Sequence, residues 1–291
     1  MRRIRIRNHR VVLNRSRGGD AFITVVLVVF GLFMFLPMLY TISQSLKPMD
    51  ELFVFPPRYF AIHPTFDNFS DLFRLMGTSW VPFSRYIFNT VFISVVGTFG
   101  NLILSSLAAY VLSKMRFPGQ KVLFELIVLS LMFSSSTIAS IANFLVMSWL
   151  NWIDTYWAII VPVWCSTLGL YLMKNFMDTN IATEVLESSR LDGASEFYTF
   201  LHIAMPMVKP AWLTLIVYSF QGLWNMGASP YIHSEQLKTF NYAMSQVLNG
   251  GVLRQGASAA AAVVQMIVPI IVFAASQSQI VETMGSSGLK D

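Results

Sequence analysis

Two groups of side chains in this sequence have the types and spacing to do more than pack. The first is the stretch Glu187-Ser188-Ser189-Arg190-Leu191-Asp192-Gly193-Ala194-Ser195, followed by Ile203-Ala204-Met205-Pro206. Its chemistry is recognition rather than bond making. The spacing predicts a helix over 183–192, a reversal at Gly193, where a positive φ costs glycine little, and a second helix capped by Ser195. In the second piece Phe197, Phe200, Leu201 and Ala204 recur at helical spacing and predict one apolar face laid against the rest of the protein, leaving the polar first piece facing water.

The second group lies inside otherwise apolar runs. It comprises Asn89, Asn101, Ser105 and Ser106, then Ser134, Ser135, Ser136, Thr137, Ser140 and Asn143, then Gln221, Trp224 and Asn225, and finally Gln265. Amides and hydroxyls beside aromatic rings can hydrogen-bond hydroxyl groups and stack on ring faces, as a path for a neutral sugar requires. Gln221, Trp224, Asn225, Asn143 and Asn101 are the candidate path residues. A second reading stays open, in which such residues only join helices, each contributing about 1 kcal/mol or less.

Bond-making chemistry finds no support. His9, His63, His202 and His233 lack metal-ligand spacing, Cys165 stands alone, and no nucleophile is paired with a base, so neither a catalytic residue nor a metal ligand is assigned. No Gly-x-x-x-x-Gly-Lys-Ser/Thr phosphate loop occurs, so any ATP would be hydrolysed by another polypeptide.

The elements that hold these groups follow from composition. Apolar residues make up 55% of the chain and charged residues 12%, about half the charge of a soluble domain. Uncharged stretches long enough to span a bilayer, about 20 residues at 1.5 Å each, occur six times: 21–46, 86–113, 126–153, 155–173, 210–234 and 255–281. An all-α membrane protein of six transmembrane helices is predicted. The third and fourth runs are parted by little more than Asp154, where Asn151 and Trp152 suggest an interfacial turn; one long broken helix, making five, is the alternative. No acidic or basic residue lies deep in these runs, which argues against a proton- or sodium-coupled carrier.

The net charge of +5 does not point to nucleic acid, because Arg2, Arg3, Arg5, Arg7, Arg10, Arg15 and Arg17 crowd one tail beside the first run. Such a tail stays on the cytoplasmic side and attracts anionic lipid. With that end inside, the inner segments hold fourteen lysines and arginines and the outer ones six, predicting both termini in the cytoplasm. The first run is too long for a signal peptide and is read as a retained helix. The outer connector 47–85, with Pro48, Pro56, Pro57, Pro64 and Pro82, predicts an ordered cap; the inner connector 174–209 predicts short solvated helices. The chain divides into a basic tail (1–20), a six-span membrane domain (21–281, with the loop 174–209) and a short tail (282–291).

The inner connector resembles the EAA loop of ABC importer permeases, whose pattern is Glu-Ala-Ala, three residues, Gly, nine residues, Ile, one residue, Leu-Pro. Glu187, Gly193, Ile203 and Pro206 fall in register; Ser188 and Ser189 replace the alanines and Met205 the leucine. Asp192-Gly193-Ala194-Ser195, Pro206 with Pro210, and Trp224-Asn225 with Pro230 resemble the maltose-type carbohydrate subgroup, over roughly residue 86 to the C-terminus. The resemblance implies that Glu187, Ser188, Ser189, Asp192, Gly193, Ala194, Ile203 and Pro206 form a coupling helix that docks on an ATP-binding subunit. It further implies a second homologous permease, two such subunits carrying ATP and Mg, an extracytoplasmic solute-binding protein, a sugar substrate, and residence in a bacterial cytoplasmic membrane. The ends 277–290 look most like permeases for complex or acidic oligosaccharides.

Overall fold

The computed structural model describes residues 17–77, 80–133, 137–251 and 254–287. Arg2 to Arg15, Ser134, Ser135, Ser136, the side chain of Thr137 and Gly288-Leu289-Lys290 lie outside what it describes. Among the described residues every regular element is helical.

The first apolar run is α1 (Arg17–Ser45), which is apolar on all sides and packs on the last helix of the chain. None of its most apolar window is buried, the condition of a helix whose solvent is lipid. The 47–85 connector contains α2 (Met49–Leu52) and α3 (Asp67–Gly77) and is ordered by polar side chains turned inward. Lys47 is buried with Nζ donating to the Arg58 carbonyl. The Glu51 carboxylate accepts from the Ile62 and His63 amides, both at 2.9 Å, and Asn68 donates to the Ser45 and Lys47 carbonyls. Buried backbone groups in a proline-rich loop need such partners.

The second run is α4 (Phe83–Lys114), the hub of the bundle. The third is divided into α5 (Gln120–Phe133) and α6 (Thr137–Trp149). A turn follows in which Asn151 and Asp154 take positive φ of 55° and 62°, a conformation Asn and Asp tolerate better than other side chains. The fourth run is therefore distinct from the third. It consists of α7 (Trp157–Trp164) and α8 (Thr167–Asn180), with Ser166 capping α8 through the Gly169 amide at 3.1 Å. The helix runs on past the expected end at Met173, because Lys174 and Asp178 pair across one turn and Lys174 sits 4.2 Å over the Phe124 ring.

The inner connector is α9 (Thr183–Leu191), α10 (Glu196–Thr199), a π turn at Phe200–Ala204 and α11 (Met205–Met207). It meets α12 (Lys209–Trp224) at 83°. The fifth run was expected to reach Ser234, but α12 stops at Trp224. Side chains take over its last carbonyls, Thr239 donating to Met226 O and Asn241 to Asn225 O, and the apolar continuation is a loop whose Ile232 is buried against Ile93 and Ile160. A 3-10 turn (Glu235–Leu237), α13 (Phe240–Leu248) and α14 (Gln255–Ser287) complete the chain.

Among the described residues four helical stretches are long and apolar enough to cross a membrane: Gly18–Ser45, Phe83–Lys114, Trp157–Asn180 and Gln255–Gln277. Counted as one span, the bent pair ending in α12 would make a fifth. Three apolar clusters hold the bundle, one around α3, α13 and α14, one joining α4, α8 and α9, and one where α4 meets α7. Close approach matters in the last. A Cβ at Gly100 would lie 2.0 Å from Trp164 Nε1, and one at Gly97 2.5 Å from Leu223 Cδ1.

Candidate functional site

Residues 183–204 form a helix, a sharp turn and a second helix. The turn is a Schellman cap: Gly193 has φ of 80°, its amide bonds to Arg190 O at 3.0 Å, and the Ala194 amide reaches back to Ser189 O at 3.1 Å. Ser195 caps α10, accepting from the Tyr198 amide at 3.2 Å. Glycine suits the turn for its positive φ and not for lack of room, since nothing lies within 4 Å of a Cβ built there.

The hairpin has an inner side and an outer side. On the inner side Leu186 packs into the cluster of Met173, Met177, Phe200 and Ala204, while the Ser189 and Thr199 hydroxyls meet at 2.8 Å between α9 and α10. Arg190 Nε donates to Glu196 Oε1 at 2.7 Å, and Tyr110 of α4 donates to Glu196 Oε2 at 3.1 Å. The bond from Arg190 chiefly, helped by Tyr110, holds the Glu196 carboxyl below its ordinary value, and the same bond holds the guanidinium protonated more firmly. Lys114 at the end of α4 donates to Ile181 O at 2.8 Å, fixing where the hairpin leaves the bundle.

The outer side is free. Glu187, Ser188 and Asp192 are exposed and Leu191 is 89% exposed. Ser188, Ser189, Asp192 and Ile203 line one shallow depression with Glu184 and Val185. Pro206 stands at the bend into α12 and Ala194 is half-buried behind the turn. The expected single apolar face does not form. Phe200 and Ala204 are buried, whereas Phe197 and Leu201 are exposed, because the backbone from Phe200 to Ala204 is a π turn and no longer keeps the 3.6-residue register.

The candidate path residues fall in different places. Asn101 is buried between helices, donating to Ser219 of α12 and accepting from Ser105 at 2.7 Å, with Gly169 of α8 close against both. Its place is helix joining. Asn143 is exposed on α6. Trp224 is buried, stacked on Phe220 at 5.7 Å, with Nε1 donating to Gln265 O at 3.3 Å. Gln221 is half-buried and Asn225, capping α12, is exposed. Sequence reasoning missed Asn241, which donates to Asn225 O and accepts from Gln265 Nε2, so that α12, α13 and α14 are tied by one chain of amides. Its signal was weak, since Asn241 lies in a stretch taken for a connector.

Several apolar helices of membrane-spanning length around a polar seam, with an amphipathic hairpin held at one end, define a multi-pass membrane protein. The chain belongs to the family of binding-protein-dependent transport system inner membrane components, which it matches over residues 101–284. It is 32% identical over 222 residues to Protein LplC of Bacillus subtilis (strain 168), covering 73% of this chain and 70% of that protein. It is 31% identical over 211 residues to the polygalacturonan/rhamnogalacturonan transport system permease protein YtcP of the same organism, covering 72% and 71%. A crystal structure of a bacterial ABC transporter involved in the import of the acidic polysaccharide alginate has a chain of the same fold, with TM-score 0.76, 22% identity, and 91% of this chain and 98% of that chain covered.

Proposed function

We propose that this chain is one transmembrane half of an ATP-driven importer of oligosaccharides, with acidic polysaccharide fragments as its cargo. The relatives named for polygalacturonan and galactooligosaccharide transport support the sugar class, and the family relation disfavours a carrier working without ATP. In this reading α5 and α6 together make the remaining span, giving six with both termini in the cytoplasm of a bacterial inner membrane. A second permease completes the path, a solute-binding protein delivers the sugar from outside, and two ATPase subunits holding ATP and Mg dock on the hairpin. Gln221 and Asn225 are the side chains of this group left open to meet sugar hydroxyls, with Trp224 and Asn241 buried or bonded behind them.

The observation that carries the reading is the hairpin's division into a tethered inner side and an exposed outer side bearing Glu187, Ser188, Leu191 and Asp192. A solvated amphipathic linker with no partner would show the same face, and the fate of the ATPase subunits in hairpin variants separates the two. Gly193→Val forces a β-branched residue into the left-handed region at a cost on the order of 1 to 2 kcal/mol, too little to unfold the bundle. Gly193→Val and Glu187→Lys should leave insertion and pairing with the second permease intact while the ATPase subunits are lost from the purified complex or hydrolyse ATP without transport. Full ATPase retention and normal transport in both variants would reduce the hairpin to an ordinary linker.

A further inference from the structure

The hub helix α4 ends in two matching latches. Near its cytoplasmic end in the reading above, Tyr110 is buried and donates to Glu196 Oε2 at 3.1 Å, while Arg190 holds the other carboxylate oxygen at 2.7 Å. Near its opposite end Tyr86 is equally buried and donates to Glu235 Oε1 at 2.9 Å, while Lys238 holds the other oxygen at 2.6 Å. In both, a buried phenol on the helix meets a glutamate from a separate segment, and that glutamate is clamped by a cation of its own segment. The tyrosines are 24 residues apart, roughly 36 Å along an α-helix.

Each latch is reinforced by other bonds between α4 and the same segment. Asn89 donates to the carbonyls of Gln236 and Lys238 at 2.8 and 2.9 Å, and Thr90 accepts from the Phe240 amide at 2.7 Å. Lys114 donates to Ile181 O at 2.8 Å. Between the two ends α4 is one unbroken helix without proline, and its two glycines, Gly97 and Gly100, are seated against the Leu223 and Trp164 side chains, which leave little room to bend there. A hydroxyl–carboxylate bond tolerates only a few tenths of an ångström before it weakens. Displacement of the hairpin by more than that must carry α4 with it or break the bond.

We propose that α4 is a rigid relay and that Tyr110 and Tyr86 are its positioning residues, passing movement of the 183–204 hairpin to the 235–240 segment on the far side of the membrane. Burial alone does not require this arrangement. A phenylalanine at either position would fill the same space, and the hydroxyl adds a directional, charge-assisted link to one particular segment. The relay rests on the reading of the hairpin as the ATPase dock.

The test uses the transporter purified with its partner permease and ATPase subunits in lipid nanodiscs, in a Cys165→Ser background. Spin labels at Gln236→Cys and Asp67→Cys report the distance from the 235–240 segment to the cap, before and after trapping with Mg-ATP and vanadate. The expected result is a shift on trapping that, read per nucleotide trapped, falls to about half or less in Tyr110→Phe and in Tyr86→Phe. The double variant should be no worse than the more severe single one, because the latches act in series. Loss of one hydroxyl from a merely structural tyrosine would lower thermal stability without changing the shift. An unchanged shift in both variants, or trapping in the unsubstituted complex with no shift, overturns the relay and leaves the docking reading standing. A complex that traps no nucleotide overturns the docking reading and the relay with it.

Discussion

Asp154 illustrates how a residue that reads as punctuation becomes a fastener. In sequence it only separates two apolar runs; in the fold its carboxylate accepts from the His233 amide at 3.0 Å, the Ser234 amide at 2.8 Å and the Ser234 hydroxyl. Chiefly the Ser234 hydroxyl, with those amides, holds its carboxyl below the ordinary value against the opposing effect of burial. A carboxyl depressed in the folded state stabilises fully above its unfolded pKa and loses that contribution as pH falls through the lower folded value. Asp154→Asn, which still tolerates the positive φ, should therefore speed hydrogen exchange at the Ser234 amide about tenfold at neutral pH, the equivalent of about 1.4 kcal/mol. Relative to the intrinsic exchange rate at each pH, protection of the Ser234 amide should fall in the original protein as acid protonates the carboxylate and stay unchanged in the asparagine variant. Equal rates at neutral pH would show that the carboxylate does not hold the loop. The turn residues Asn151 and Asp154 were legible in advance, but the partners of Asp154, some eighty positions away, were not. Faces were equally hidden: residue type did not distinguish Asn101, bonded to Ser219 between helices, from Trp224, stacked on Phe220, or from Asn225, which caps α12.

Elements were legible where an unbroken apolar run meets a charge at each end, as in α1, α4 and α14. They were misread where apolarity has another cause. The 226–233 loop packs Met226 and Ile232 against α4 and α7, and its uncharged residues extended the expected fifth helix beyond its end at Trp224. The 174–180 segment is charged yet helical, because Lys174 and Asp178 satisfy each other. Glycines in these helices looked alike but differ in consequence. Gly100→Ala places a methyl within 2.0 Å of the Trp164 ring, whose Nε1 is tethered to Val96 O at 3.1 Å, while Gly222 has nothing within 4 Å of a built Cβ. Gly100→Ala should destabilise by about 1 to 3 kcal/mol, the usual cost of overfilling a packed site. Gly222→Ala should be neutral or stabilising by up to about 1 kcal/mol from helix propensity alone. Unfolding in a denaturing-detergent titration separates the two; the same sign for both would mean that α4 and α7 are not packed this closely.

At the scale of the whole molecule, the two ends of the bundle carry different kinds of structure, and this permits a test of orientation. One end holds the cap, α3, the Asp154 turn and the 235–240 segment; the other holds the hairpin. Tyr86 and Tyr110 of α4 mark those ends through Glu235 and Glu196. The arginine tail indicates which end faces the cytoplasm, because basic residues flanking a span resist translocation. Asp67 at the start of α3 and Leu191 at the hairpin turn are both exposed and should face opposite compartments. In a Cys165→Ser background, needed because that thiol is exposed, a membrane-impermeant maleimide applied to spheroplasts or whole sealed cells should label Asp67→Cys directly. It should label Leu191→Cys only after permeabilisation. Labelling of both sites from the same side would place the cap and hairpin in one compartment, which an odd number of crossings between α3 and α9 forbids. Reversed accessibility would invert the orientation, putting the hairpin where no ATPase could reach it. The span count from α4 to α8 is the quantity at stake: on the proposed count, in which α5 and α6 together make one crossing, three crossings would take the chain from the cap to the hairpin, and an even number would return it to the side it left.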